Sequence, residues 1–69
     1  MQFSARNQIK GKVKAVSPGS VNTEVQIEVA PGIILTAMIS KSSAERLALA
    51  PGKSAYAIIK ASDVMVGVD

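Results

Sequence analysis

A chain of 69 residues with no cysteine and no histidine makes one domain, 1–69, and buries only about 60% of its unfolded surface; disulfides and the strongest metal ligands are excluded, and oligomerisation is left as the route to stability. Phe3 and Tyr56 are the only aromatic residues beside abundant Val, Ile, Leu and Ala, so the core is built of small branched side chains, which suit strands. The net charge of +3 gives a mild preference for anionic partners, and no apolar run nears the roughly 18 residues of a membrane span.

The start, Met1-Gln2-Phe3-Ser4, has neither the charged region nor the apolar region of a leader, so a cytoplasmic protein is expected. From Gln8 to Val16, Ile9, Gly11, Val13 and Ala15 alternate with Gln8, Lys10, Lys12 and Lys14. Period two predicts a strand. Ser17-Pro18-Gly19-Ser20 is a turn signal, and alternation resumes with Thr23, Val25, Ile27 and Val29 against Asn22, Glu24, Gln26 and Glu28. A hairpin centred on Gly19 sets Lys14 opposite Glu24 and Lys10 opposite Glu28, with Val13 on Val25 and Ile9 on Val29.

Ala30-Pro31-Gly32 breaks the chain before a third strand, Ile33 to Ser40, which is apolar on both faces. The strand from Ser54 to Lys60 is apolar on both faces too, and one thin sheet cannot bury them. A second subunit on the outer face is the simplest account. Between these strands Ser42-Ser43-Ala44-Glu45 reads as a capping box, and the short helix it opens should stop near Leu49, before Pro51-Gly52. A last strand is predicted over Val64 to Val68. The order fits an all-β fold: a small OB-like five-stranded antiparallel barrel with one short helix.

Catalysis has few places to sit. Without His or Cys a nucleophile would be a Ser or Lys with a Lys or carboxylate partner, and no serine stands in a nucleophile elbow. The protein is read as a binder, not an enzyme. Nor is there a glycine-rich phosphate loop, because Gly19, Gly32 and Gly52 each stand alone in a turn. The Lys10, Lys12, Lys14 stripe admits two readings, a nucleic-acid surface or a solvated, salt-bridged strand face. Glu24 and Glu28 beside the lysines and the scarcity of stacking aromatics favour the second.

Two segments remain. Ser4-Ala5-Arg6-Asn7 and Lys60-Ala61-Ser62-Asp63 each hold one cation and one hydroxyl two residues apart, so an extended chain aims both the same way. Ala5 and Ala61 would let backbone N–H groups approach a ligand. Donors alone suit a tetrahedral dianion that offers only acceptors, although exposed cations at ordinary strand ends have the same composition.

The run Ser4-Ala5-Arg6-Asn7-Gln8-Ile9-Lys10-Gly11 closely resembles the opening motif of the molbindin family (Mop-type or TOBE domains), and Ile59-Lys60-Ala61-Ser62-Asp63-Val64 resembles its closing motif. The turns at Gly19 and Gly32, the Ser40 to Leu49 region and Pro51-Gly52 also fit, so the resemblance spans essentially the whole chain. It implies an OB-like barrel, strand exchange between paired subunits, and a homo-hexamer, a trimer of dimers, holding molybdate or tungstate at subunit interfaces. Carried over residue by residue, Ser4, Ala5 and Arg6 would bind from one subunit, and Lys60, Ala61 and Ser62 from another. Ser40 is a further contributor.

The resemblance assigns no residues to a second site class near a threefold axis, and it implies no catalytic cofactor and no direct protein ligand to the metal. A stand-alone domain of this kind implies storage or buffering of cytoplasmic molybdate. The alternative from another class is an OB-like interaction module that binds nucleic acid or a protein partner.

Overall fold

A computed structural model describes residues 4–69; Met1–Phe3, the start read above for a leader, lie outside the described residues. The chain forms β1 (Asn7–Pro18), β2 (Asn22–Ala30), β3 (Ile33–Ser40), α1 (Lys41–Arg46) and β4 (Ser54–Ile59), followed by a 3-10 turn over Ala61–Asp63. The sheet is antiparallel in the order β3-β2-β1-β4. It curls into a half-barrel.

β1 is divided between two neighbours. Its first half pairs with β4, from Asn7↔Ile59 to Lys12↔Ser54, and its second half pairs with β2, from Lys12↔Glu28 to Pro18↔Thr23. Gly11 sits where the partner changes. A Cβ there would lie 2.5 Å from the Glu28 carbonyl oxygen and 2.8 Å from Ile27 Cγ2, so only a residue without one lets β2 come so close.

The observed β1–β2 register differs from the expected one. Val13 faces Ile27, Val16 faces Val25 and Ser17 faces Glu24, with a bulge between Val13 and Ala15. Lys14 is the extra residue, and past it the inward face passes from the odd to the even positions. Val16 therefore packs on the core, where unbroken alternation would have turned Ala15 inward. The expected Lys14–Glu24 and Lys10–Glu28 pairs give way to one contact, Lys14 Nζ to Glu28 Oε2 at 3.8 Å, between half-exposed side chains. Such a surface pair contributes about 0–1 kcal/mol.

Both Pro-Gly turns are set by a left-handed glycine, Gly32 at φ 76° and Gly52 at φ 90°. Pro at the second position and Gly at the third suit a type II turn.

The helix starts two residues before the expected capping box. Ser40, the last extended residue of β3, is the N-cap, and its Oγ accepts from the Ser43 N–H at 3.1 Å. β3 runs straight into α1, so the first serine reached takes the cap and Ser42 falls inside the helix. At the other end the Leu49 N–H donates to the Ala44 carbonyl at 3.2 Å and the Ala48 N–H to the Glu45 carbonyl at 3.0 Å. This is a Schellman closure, and it sets Ala48 at φ 52°, a region glycine prefers. Lys53 Nζ donates to the Leu47 carbonyl at 2.6 Å and the Ala48 carbonyl at 3.3 Å, satisfying acceptors the short helix leaves open.

Val13, Val25 and Ile27 form the buried core, with Val16, Val29, Ala37, Ile39, Leu49, Ala55 and Ala57 around them. Thr23 is also sealed in, and its Oγ1 has no hydrogen-bond partner among the described residues. The expected fifth strand is absent within one chain: after the 3-10 turn Val64 to Val68 runs without a ladder, exposed along its length. Alternating valines make a segment competent to extend, but pairing also requires a free edge within reach. Ile33, Ile34, Met38, Tyr56 and Ile58 stay exposed, as expected of strands apolar on both faces.

Two substitutions test this packing, each by denaturant midpoint at fixed protein concentration. Ala48→Gly should raise stability by about 1 kcal/mol, because the left-handed region costs an L-residue roughly 1–2 kcal/mol and glycine almost nothing. Thr23→Val should also stabilise, by about 1–2 kcal/mol, since it keeps the shape and removes an unpaired buried hydroxyl. A loss of stability in Thr23→Val would mean the hydroxyl is bonded in solution.

Candidate functional site

The β1–β4 ladder ends at Asn7↔Ile59. The next residue outward on one strand is Arg6 and on the other Lys60, both exposed. Within one chain the two motifs thus arrive side by side at the same end of the sheet, which the sequence alone did not show. A side-chain bond reinforces the junction: Asn7 Nδ2 donates to the Ile59 carbonyl at 3.1 Å, across 52 residues of sequence. Gln8 Nε2 reaches the Ala5 carbonyl at 3.5 Å.

Beyond the ladder both chains leave the strand direction. Ser4 and Arg6 lie in bends, with Ser4 exposed and Ala5 half-buried between them. Lys60 is still extended at φ −65° and ψ 144°, but Ala61–Asp63 is a 3-10 turn in which the Asp63 N–H donates to the Lys60 carbonyl at 2.9 Å. The alternation that would aim Lys60 and Ser62 the same way therefore stops at Lys60, because a 3-10 turn rotates about 120° per residue. Ala61 and Ser62 are exposed, and the first amides of such a turn have no partner within it.

Ser40 stands elsewhere. It pairs with Asn22 at the far end of the β2–β3 ladder, beyond the Pro18↔Thr23 pair that closes β1. Arg6 and Ser40 thus flank opposite ends of a 12-residue strand. Ser40 Oγ accepts from the Ser43 amide, donates to Ser43 Oγ at 2.8 Å and lies 3.4 Å from Ser42 Oγ. Three hydroxyls cluster there, of which sequence reasoning singled out Ser40 alone.

Among the described residues the one ion pair is Lys14 with Glu28, so neither Arg6 nor Lys60, the residues next after the last rung of the β1–β4 ladder, is salt-bridged to a carboxylate. Their guanidinium and ammonium groups, with the Ser4 and Ser62 hydroxyls, offer donors and positive charge. That set attracts an anion made only of acceptors. No cluster of three or more His, Cys, Asp or Glu exists among the described residues, and no helix there is long and apolar enough to cross a membrane.

A separate shallow depression of about 620 Å³ lies where β2 parts from β1, bounded by Lys10, Lys12, Glu28, Pro31, Gly32 and Ser54. It holds none of the candidate oxyanion-binding residues Ser4, Ala5, Arg6, Ser40, Lys60, Ala61 and Ser62. Sequence reasoning also passed over the Asn7 bond. Its signal was available, a carboxamide beside a cation at the start of an apolar-alternating strand.

Comparison with known proteins identifies the family of the chain. The TOBE domain family matches residues 4–66. A probable molybdenum-pterin-binding protein of Haemophilus influenzae is 51% identical over 69 residues, covering 100% of each chain. MopII from Clostridium pasteurianum, solved in an apo form, superposes with a TM-score of 0.89 at 42% identity, covering 97% of this chain and 100% of that one. The cytoplasmic molybdate-binding protein ModG, solved with molybdate bound, gives a TM-score of 0.93 at 43% identity; the match covers 100% of this chain and 49% of that chain. The chain belongs to the TOBE domain family, in its molbindin form.

Proposed function

We propose that this protein binds molybdate or tungstate at sites shared between copies of the chain and serves molybdenum storage, buffering and homeostasis in the cytoplasm. The observation that carries the reading is the convergence of Arg6 and Lys60 just past the Asn7↔Ile59 pair, exposed and without a carboxylate partner. The names of its relatives, which are molybdenum-pterin-binding and molybdate-binding proteins, support the ligand.

Ser4, Ala5, Arg6, Lys60, Ala61 and Ser62 stand at one end of the sheet and Ser40 at the other. A site that draws on all seven takes Ser40 from a second copy. This division differs from the one the resemblance implied, with Arg6 and Lys60 on different subunits, because the β1–β4 ladder joins those two within a chain. The assembly in this reading is a homo-hexamer, a trimer of dimers. Exposed Ile33, Ile34, Met38, Tyr56 and Ile58 supply apolar surface for it, and the unpaired Val64 to Val68 segment is a strand to exchange. An interaction module for nucleic acid fits less well: Lys10 and Lys12 flank a depression, but Tyr56 is the lone aromatic residue among those described.

Protonation and size set selectivity. Phosphate near neutral pH is partly monoprotonated, and its added donor finds no acceptor in an all-donor site. The mismatch costs about 1–3 kcal/mol. Sulfate has the right charge and is excluded only by its smaller size.

Titration calorimetry should therefore rank molybdate and tungstate above sulfate and phosphate, with Arg6→Ala and Lys60→Ala each weakening molybdate binding about ten- to a hundredfold. Equal affinity for sulfate would remove the size argument. The division between copies is tested by co-refolding. Ser40→Gly deletes the hydroxyl while costing the helix cap only a few tenths of a kcal/mol. Mixed at equal ratio with Arg6→Ala, it should restore full affinity at about a quarter of the sites, because each site draws on two chains at random. Arg6→Ala mixed with Lys60→Ala should restore none. Recovery in the second mixture and not the first would reassign the cations to different subunits.

A further inference from the structure

We infer that Asn7 is the positioning residue of the oxyanion site: its carboxamide ties the Ile59 carbonyl to β1 and so holds the Arg6 and Lys60 backbones side by side. The inference rests on the oxyanion reading above and adds a residue to which that reading gives no part.

The end of a two-stranded ladder is where pairing frays, since the terminal pair is supported from one side only. Here it also meets two cations on neighbouring strands, and like charges directly opposite one another destabilise a sheet. Outward of Asn7↔Ile59 the ladder offers no further support. Arg6 bends away, and Lys60 is followed at once by the 3-10 turn. Without another tie the two cations would separate, and an anion would have to bring them back at the expense of its own binding.

Asn7 supplies that tie. It is half-buried, and its Nδ2 donates to the Ile59 carbonyl at 3.1 Å. The carbonyl it holds belongs to the residue directly before Lys60, so the bond fixes the peptide from which Lys60 projects. Arg6 is held from the other side, as the neighbour of Asn7 itself. Asn7 is level with Ile59, and alternation still holds at extended Lys60, so the Asn7 side chain lies on the face opposite that of Lys60 and can hold the backbone without occupying the space the ammonium uses. Asn7 thus acts on the ligand through Lys60 and Arg6, not by touching it.

A double-mutant cycle read by molybdate titration tests this. In the otherwise unaltered protein Asn7→Ala should weaken molybdate binding about three- to tenfold, the worth of one hydrogen bond. In a Lys60→Ala background the same change should weaken it less than twofold, because no ammonium remains to be positioned. A merely structural role would give the same loss in both backgrounds, and that result overturns the inference, as does unchanged affinity in Asn7→Ala. If Asn7→Ala does not fold, exchange of the Asn7 side-chain amide protons with water, measured by NMR on the unaltered protein, decides in its place. Protons slowed relative to those of exposed Gln8 support the tie, and equal rates overturn it. Failure of the unaltered protein to bind molybdate at all would defeat the oxyanion reading itself and the role of Asn7 with it. Molybdate binding by the unaltered protein together with undiminished affinity in Asn7→Ala defeats the positioning role alone.

Discussion

The division of β1 between two partners is the constraint on which the rest of the structure depends. A strand has two edges, and in this chain each half of β1 uses mainly one of them. The handover falls within two or three residues, where Gly11 admits the β2 backbone and the extra residue Lys14 bends the strand. Curling follows from that bend, and curling lets a sheet with so few large side chains enclose a core. The position of β4 follows as well, and with it the meeting of the two terminal motifs.

The core so enclosed is slight. Val13, Val25, Ile27 and Ala44 are the buried apolar residues among those described, and each of the larger three contributes on the order of 1.5–3 kcal/mol of burial. Against the ordering entropy of a whole domain this is little. Backbone closures fill part of the gap. Lys53 satisfies helix carbonyls, Ser40 caps the helix start, and the Val13 amide donates to the Lys53 carbonyl at 2.8 Å. The apolar side chains left outside on β3 and β4 are the complement of this small core. In the proposed assembly, the same shortage of interior that leaves them exposed would give a second copy of the chain something to cover.

Much of the fold was legible in the sequence because period-two alternation is a local signal. The first two strands were placed from it, the next two from apolar runs between turn signals, and the turns at Gly19, Gly32 and Gly52 and the short helix from their turn and capping residues. What alternation cannot report is an inserted residue, and the bulge at Lys14 displaced the β1–β2 register and re-paired the lysine stripe. The capping box failed for a related reason, since Ser40, Ser42 and Ser43 all suit a cap and only the end of β3 decides among them. The tail after Asp63 has strand composition but no strand partner within the chain, a distinction composition cannot draw. For the site, the residue types in the two motifs pointed to acceptor-only anions before any geometry was known. The adjacency of Arg6 and Lys60 was beyond reach, because it depends on a pairing across 52 residues.

That long span has a consequence for how the molecule comes together. β1, β2 and β3 form a meander whose pairings join neighbours in sequence, whereas every β1–β4 pair closes a loop several times longer. Closure entropy grows with the logarithm of loop length and must be met before any contact returns it, so non-local pairings are the slow ones to form. The cation pair therefore rests on the most expensive closure in the chain, at the outermost rung of its ladder. On the proposed function, an anion bridging those cations would act as a clasp on that closure, and its presence during folding would favour the contacts that local sequence supports least.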